Sequence, residues 1–199
     1  MKTAPRRSSE LEPGREADLV RAAQGGDQAA FAEIVRHYQR AVYRVAYALT
    51  RNAADADDLA QETFVRAYQA IGRFRVGEPL HPWLSRIAVN LTYSLYRRRK
   101  RRPETSIEPL LEAGRQWAGD GDDPADRAAE AESHQRLAEA FAGLSHEHQA
   151  VLTLRVVEDL PYEAIARALN VPVGTVMSRL SRARTELRRR LRARTGEAT

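Results

Sequence analysis

The chain has no cysteine among its 199 residues, which excludes disulfide bonds, thiolate metal sites and cysteine nucleophiles. Aromatic residues are few, at 7%, although a hydrophobic content of 43% allows buried cores. No apolar run reaches membrane-spanning length, and residues 1–15 lack the apolar segment of a signal peptide. We therefore expect a soluble, cytoplasmic protein without direct membrane insertion.

Positive charge is unevenly distributed along the chain, whose net charge is +5. Residues 97–102 are six consecutive cations, and residues 179–194 contain eight arginines against the single acid Glu186. The alternative is that these arginines are simply solvated on a surface helical hairpin. Their mutual repulsion would then be unfavourable, with no anionic partner to compensate for it. The two clusters indicate a polyanionic partner, such as a nucleic acid.

Two short helices joined by a tight turn are predicted over residues 162–180. Asn170 stands where the chain reverses, because asparagine tolerates positive φ, and Pro172 suits the start of the second helix. An apolar stripe follows at helical spacing, formed by Val176, Leu180, Ala183, Leu187 and Leu191. The opposite face is cationic and polar, so this pattern predicts a helix-turn-helix whose second helix enters the major groove of DNA.

Four helices are predicted in the N-terminal half. The first covers about residues 16–24; the second is capped by Asp27 and has an apolar face formed by Phe31, Ile34, Tyr38, Val42, Val45 and Leu49. The third is predicted to be capped by Asp55 and to bury small residues. The fourth is predicted to begin near Trp83.

The outer face of the third helix combines acids with apolar groups, namely Asp58, Gln61, Glu62, Val65 and Tyr68. A favourable effect of acids near a helix N-terminus does not explain exposed Val65 and Tyr68, so we predict a protein-docking face. A carboxylate site for a divalent metal, formed by Asp55, Asp58 and Glu62, is an alternative.

One face of the fourth helix is predicted to contact unpaired bases and phosphates. Its residues recur at spacings of three and four, and they are Arg86, Asn90, Tyr93 and Arg97. The helix then continues into the basic residues 97–102, and flat aromatic, amide and cationic groups together suit single-stranded nucleic acid.

Residues 103–132 reverse the charge, with nine acids against two arginines, and are predicted to be a flexible linker. Fully extended, they reach on the order of 100 Å. Two sites about 70 Å apart, or roughly two turns of B-DNA, lie within that reach. A second helical domain is predicted from residue 133, where Leu137, Ala140, Phe141 and Leu144 pack and Ser145 caps the next helix.

The order of these segments resembles that of bacterial sigma factors of the extracytoplasmic-function (ECF) type. The resemblance covers about residues 16–102 and 133–192 and is carried by residues 57–64 (DDLAQETF), 74–75 (FR), 83–90 (WLSRIAVN), 162–166 (YEAIA), 173–176 (VGTV) and 178–180 (SRL). We expect an all-α protein of two small domains. The expected division is a disordered tail at 1–15, sigma domain 2 at 16–102, the acidic linker at 103–132, sigma domain 4 at 133–193 and a tail at 194–199.

The resemblance implies an initiation factor rather than an enzyme, with no cofactor or metal. It implies binding to core RNA polymerase, to promoter DNA as duplex and as melted strand, and to an anti-sigma factor that holds the protein near the membrane. Polymerase binding is expected at Asp58, Gln61, Glu62, Val65 and Tyr68. The minus-ten element is expected at Phe74, Arg86, Asn90, Tyr93, Arg97 and Arg98. The minus-thirty-five element is expected at Thr175, Met177, Ser178, Arg179, Ser181 and Arg182, with phosphates at Arg188 and Arg189.

Two other classes of function are consistent with parts of the sequence. A helix-turn-helix regulator with a ligand-sensing N-terminal domain would need an apolar pocket, and leaves Asn90 and the basic run unexplained. A nuclease or phosphohydrolase using Asp55, Asp58 and Glu62 would need a divalent metal.

Overall fold

The computed structural model describes residues 11–101 and 124–194, and within these ranges every regular element is a helix. This confirms the predicted all-α fold. The elements are α1 (Pro13–Gln24), α2 (Gln28–Thr50), α3 (Ala53–Ala70), a 3-10 turn (Ile71–Arg73), α4 (Leu80–Arg101), α5 (Pro124–Ala142), α6 (His146–Leu152) with a π-helical extension (Thr153–Val157), α7 (Tyr162–Leu169) and α8 (Val173–Arg194).

Helix α2 is the centre of the N-terminal half and packs against α1, α3 and α4. Its predicted apolar face is buried, with Leu49 only half-buried. Asp27 caps it as predicted, accepting hydrogen bonds from the N–H groups of Ala29 at 2.8 Å and Ala30 at 3.1 Å. Small inner residues of α3, such as Ala56 and Ala67, are fully buried and allow close approach to α2.

Helix α3 is capped by Asn52 and not by Asp55, so that prediction was wrong. The Asn52 side chain accepts a hydrogen bond from the N–H of Asp55 at 2.9 Å, which places Asp55 inside the first turn. Its carboxylate instead forms two hydrogen bonds with Arg99 of α4, at 2.7 and 2.8 Å.

Helix α4 begins at Leu80, before the predicted start at Trp83. The cause is a long-range cap that helical spacing does not reveal. The buried Glu16 of α1 accepts a hydrogen bond from the Leu80 N–H at 2.6 Å and another from the Tyr38 hydroxyl at 2.5 Å. Its carboxylate satisfies a free N–H at the N-terminus of α4, where negative charge is favourable.

Two helix boundaries fall inside segments that were expected to be irregular. Helix α1 starts at Pro13, inside the expected tail at 1–15, and α5 starts at Pro124, inside the expected linker at 103–132. Proline is well suited to a first helical turn, and α5 opens with several alanines. The predictions for residues 1–10, 102–123 and 195–199 lie outside the described residues.

The C-terminal half forms the predicted helix-turn-helix from α7 and α8. Asn170 has φ 53° and ends α7, and Val176, Leu180 and Ala183 are buried. Ser145 caps α6 as predicted, accepting from the His148 N–H at 3.3 Å. Leu137 was expected in the core but is 45% exposed, because burial on α5 starts one turn later at Ala140.

The two halves contact each other through α4 with α7, and through α2 with the π-helical segment. Buried apolar residues of both halves form one continuous cluster that includes Leu84 and Ile165.

We expect Glu16→Leu to lower the free energy of unfolding by about 1–3 kcal/mol, because the Leu80 N–H then loses its partner in a buried site. Urea denaturation measures the change. Glu12→Leu is the matched control, since Glu12 is exposed immediately before the same helix and its side chain makes no capping hydrogen bond. Equal losses in the two variants would contradict the role assigned to Glu16.

Candidate functional site

The outer face of α3 is accessible in the structure, as the sequence predicted. Asp58 and Gln61 are exposed, Glu62 is half-buried, and Val65 and Tyr68 are 50% and 43% exposed. Glu62 also forms an ion pair with Arg66 one turn later, at 2.7 Å. The face therefore presents two apolar side chains beside a row of polar and acidic ones.

A groove of about 980 Å³ runs between α2 and α3 beside this face. Its apolar lining includes Phe31, Val35 and Phe64 together with Val65 and Tyr68. The rings of Phe31 and Tyr68 pack edge to face, with centroids 5.0 Å apart. Polar residues also line the groove, namely Gln39, Arg40, Arg44, Asp57, Gln61 and Gln69. A groove that combines apolar with polar lining is suited to an amphipathic partner helix.

The contribution of α2 to this groove was missed by the sequence analysis. Phe31 was assigned to the core from its spacing, and the structure shows that it is both buried and part of the groove wall. Helical periodicity identifies which face of a helix is apolar, but it does not tell where that face extends past its neighbour.

The acids of α3 do not form a metal site. Asp55 is held by Arg99 and Glu62 by Arg66. Over residues 11–101 and 124–194, no group of three or more histidine, aspartate or glutamate side chains is arranged to hold a metal ion.

The predicted contact face of α4 is exposed along its length. Its exposed residues are Arg86, Asn90, Tyr93, Arg97 and Arg98. The Arg97 guanidinium lies 5.7 Å from the centre of the Tyr93 ring, a cation–π distance. A stacking ring and several cations therefore lie on the same helix surface as the Asn90 amide, the combination that single-stranded nucleic acid requires.

Phe74 lies in the loop before α4 and is held against that helix. Its ring centroid is 4.6 Å from that of Trp83, and both side chains are half-buried. Asn90 follows Trp83 by two helical turns, so the aromatic pair and the amide lie on the same side of α4, about 10 Å apart along its axis.

The loop is fixed by Gln24, at the end of α1, which sequence reasoning did not identify. Its side-chain amide donates hydrogen bonds to the carbonyls of Ile71 at 2.9 Å and Phe74 at 2.7 Å. Since Glu16 of the same helix caps α4, α1 positions both parts of the contact face. No local pattern in the sequence pairs Gln24 with carbonyls about fifty residues away.

The α8 residues predicted to contact the minus-thirty-five element are accessible to different degrees. Met177 is 55% exposed, Ser178, Ser181 and Arg182 are exposed, and Thr175 and Arg179 are half-buried. The Ser178 hydroxyl donates to the Thr175 carbonyl at 3.1 Å, within the helix. Behind these residues the buried stripe of α8 fixes the helix against α6 and α7.

The later arginines of α8 are partly neutralised within the helix. Arg189 makes two hydrogen bonds to Glu186, at 2.9 and 2.6 Å, and Arg190 makes one at 2.8 Å. The hydrogen bonds and charge of Arg189, and then those of Arg190, lower the pKa of Glu186 to about 2. Glu186 therefore stays charged, while Arg188 is exposed beside the pair.

The sequence predicts no direct membrane insertion. In the part of the chain that the structure describes, no helix has the length and apolar character needed to span a bilayer.

Comparison with known families and proteins assigns both halves. Residues 34–102 match Sigma-70 region 2, and residues 134–187 match Sigma-70 region 4. The chain is 35% identical over 173 residues to the ECF RNA polymerase sigma factor SigW of Bacillus subtilis, covering 84% of this chain and 91% of SigW. Matches to both sigma regions do not support a ligand-sensing regulator.

Solved structures agree with this assignment. CnrH, in complex with the cytosolic domain of CnrY, has a TM-score of 0.67 and 26% identity, covering 90% of this chain and 98% of CnrH. The sigma factor RpoE of Bartonella quintana, in complex with the anti-sigma factor NepR, has a TM-score of 0.65 and 27% identity, covering 81% and 96%. The chain belongs to the ECF family of RNA polymerase sigma factors.

Proposed function

We propose that this sigma factor works through three separate surfaces, and that it acts in the cytoplasm and is not itself an enzyme. The α3 face and groove dock on core RNA polymerase, α4 with the Phe74 loop captures the melted minus-ten strand, and α8 reads the minus-thirty-five element. The observation that carries the proposal is that the exposed faces of α3 and α4 lie within region 2 and that the predicted base-contacting residues of α8, 175–182, lie within region 4. The domains are proposed to span 16–102 and 133–193, with α1 and α5 extending them toward the N-terminus to residues 13 and 124.

Docking through α3 is supported by the exposed apolar pair Val65 and Tyr68 next to acids. Apolar side chains supply most of the contact energy in an interface, and charged residues at its rim fix orientation and speed association. Asp58, Gln61 and Glu62 are placed to pair with cationic or hydrogen-bonding groups of a helical partner.

Strand capture on α4 is supported by the Phe74–Trp83 pair and the Asn90 amide on one side of the helix. An extruded base loses its stacking, and an aromatic pocket with an amide offsets part of that loss. Arg86, Arg97 and Arg98 supply phosphate contacts along the strand.

An anti-sigma factor is a further proposed partner. RpoE of Bartonella quintana, to which this chain is similar, is in complex with the anti-sigma factor NepR, and CnrH is in complex with the cytosolic domain of CnrY. The likeness extends over both halves of this chain, and the apolar groove offers such a partner a binding surface. A membrane-anchored inhibitor would hold the protein near the membrane.

We expect Asp58→Lys and Glu62→Lys each to weaken binding to core RNA polymerase by about tenfold or more, because each reverses a charge within the interface. Affinity chromatography and fluorescence titration with purified polymerase measure the effect. Asp18→Lys, an exposed reversal on α1, is the control for net charge. Unchanged affinity in both α3 variants, with intact folding, would reject this docking surface.

We expect Asn90→Ala to leave duplex promoter binding nearly unchanged and to reduce open complex by about two- to tenfold, the worth of one hydrogen bond to an extruded base. Permanganate reactivity of minus-ten thymines measures opening. Ser94→Ala, one turn further on α4, is the control, since its hydroxyl donates only to the Asn90 carbonyl. Equal thymine reactivity in all three proteins would contradict base capture by Asn90.

We expect Arg182→Ala to flatten the preference among minus-thirty-five variants, because a bidentate contact to guanine contributes about 1–3 kcal/mol of discrimination. Arg179 is a less exposed candidate for the same role. Arg189→Ala should instead weaken all sequences alike and reduce the salt dependence by about one phosphate. Binding of both variants to a panel of point-mutated minus-thirty-five elements, at two salt concentrations, distinguishes the loss of sequence preference from the uniform loss of affinity. If Arg189→Ala changes the ranking of sites and Arg182→Ala only scales it, α8 docks in the opposite orientation.

A further inference from the structure

A buried ion cluster joins the two halves of the protein. Its centre is Glu158, which follows the π-helical segment of the C-terminal half and is 6% exposed. Arg44 of α2 donates to both carboxylate oxygens through Nε and Nη2, each at 2.8 Å. His81, in the first turn of α4 and also buried, places its Nε2 atom 3.1 Å from the same carboxylate.

Both side chains that contact the Glu158 carboxylate come from the other half of the protein. Burial alone raises the pKa of Glu158, but the neighbouring His81 and the hydrogen bonds from Arg44 outweigh it, so the pKa is lowered. The hydrogen bonding between Arg44 and Glu158 also raises the pKa of Arg44. A buried carboxylate that loses such partners is strongly unfavourable. The cluster therefore stabilises the contact between the halves.

The turn around Glu158 is shaped to present this side chain. Asp159 adopts the left-handed conformation, with φ 51°, which reverses the chain immediately after Glu158. Arg155 fixes the turn by donating to the Asp159 carboxylate at 2.9 Å and to the Leu160 carbonyl at 3.3 Å. These contacts stay within the C-terminal half. The Arg155–Asp159 ion pair can therefore be compared with the Arg44–Glu158 pair, which joins the two halves.

The same packing places His146 of the C-terminal half against one residue of the exposed α4 face. The rings of Tyr93 and His146 are in contact, with centroids 4.9 Å apart, and α7 packs along α4. Tyr93 is one of the groups proposed to meet the melted strand. A base stacked on that side of Tyr93 would require the His146 ring, and with it the C-terminal half, to move away.

Arg44 belongs to the groove as well as to the ion cluster, since it is one of the residues that line the groove between α2 and α3. We propose that Arg44, Glu158 and His81 form an internal latch that holds the two domains closed, and that a polymerase helix seated in the groove releases it by engaging Arg44. Release by polymerase rests on the docking surface assigned under the proposed function.

Energy transfer between two dyes on the full-length protein tests the latch. The absence of cysteine allows specific labelling at cysteines introduced at the exposed Glu12 and Thr185, one in each half. Glu158→Gln keeps the shape and removes the charge, and it should shift the ratio of open to closed molecules by about tenfold or more, with lower transfer. Asp159→Asn is the matched control and should leave transfer unchanged, because its ion pair does not cross between the halves.

A second variant, Arg44→Gln, removes the same ion pair from the α2 side. It provides a test even if Glu158→Gln does not fold. The Arg44 side chain is 34% exposed, so Arg44→Gln tolerates loss of the pair better than Glu158→Gln. The double variant should open no further than either single variant, because both remove the same interaction. If Arg44→Gln and every folded Glu158→Gln sample transfer like the parent protein, the latch is overturned.

Addition of core RNA polymerase tests release. The parent protein should open when polymerase binds, and Glu158→Gln should change little because it is already open. Binding of polymerase without a change in transfer overturns release through Arg44. If polymerase does not bind the parent protein at all, the docking assignment fails instead. Energy transfer in the variants without polymerase still shows whether the latch exists.

Discussion

One buried carboxylate controls the geometry of the N-terminal half. Glu16 connects three helices, because it belongs to α1, accepts from Tyr38 of α2 and caps α4 at Leu80. A buried acceptor requires its donors in place, so these helices cannot shift independently without leaving polar groups unpaired. Gln24, at the other end of α1, fixes the Phe74 loop in the same way. The face proposed to receive the melted strand is therefore positioned by a helix that contributes none of the proposed contact residues. This helix lies outside the segment that matches Sigma-70 region 2.

The two helices proposed to face DNA, α4 and α8, each concentrate arginines on a surface that must also be stable without DNA. Each has a nearby acid that reduces the repulsion. Asp55 of α3 holds Arg99 at the end of α4, and Glu186 holds Arg189 and Arg190 within α8. Exposed pairs of this kind contribute little stability and exchange readily for phosphate. In both helices, the residues proposed to specify sequence lie before the paired arginines, so the internal acids affect general affinity more than base preference.

Helix identity and the buried faces were predictable from the sequence, because periodicity depends only on neighbours three or four residues away. The stripe from Val176 to Ala183, the inner face of α2 and the turn at Asn170 are of this kind. Features that depend on distant partners were not predictable. The start of α4 is set by Glu16, the position of Phe74 by Gln24, and the contact between the halves by Glu158. Leu137 shows the opposite error, since its spacing predicted burial on a part of α5 that remains half-exposed.

Closure of the two domains links polymerase binding to promoter binding. If only the open form meets both promoter elements, the apparent affinity for DNA is reduced in proportion to the closed fraction. A ligand shifts this equilibrium only through a difference in its affinity for the two forms. Arg44 provides that difference for polymerase, because the closed form uses its guanidinium for Glu158 while the same residue lines the proposed polymerase groove. Free sigma factor is then a weak DNA binder, and polymerase increases its DNA affinity by the same factor by which DNA increases its affinity for polymerase.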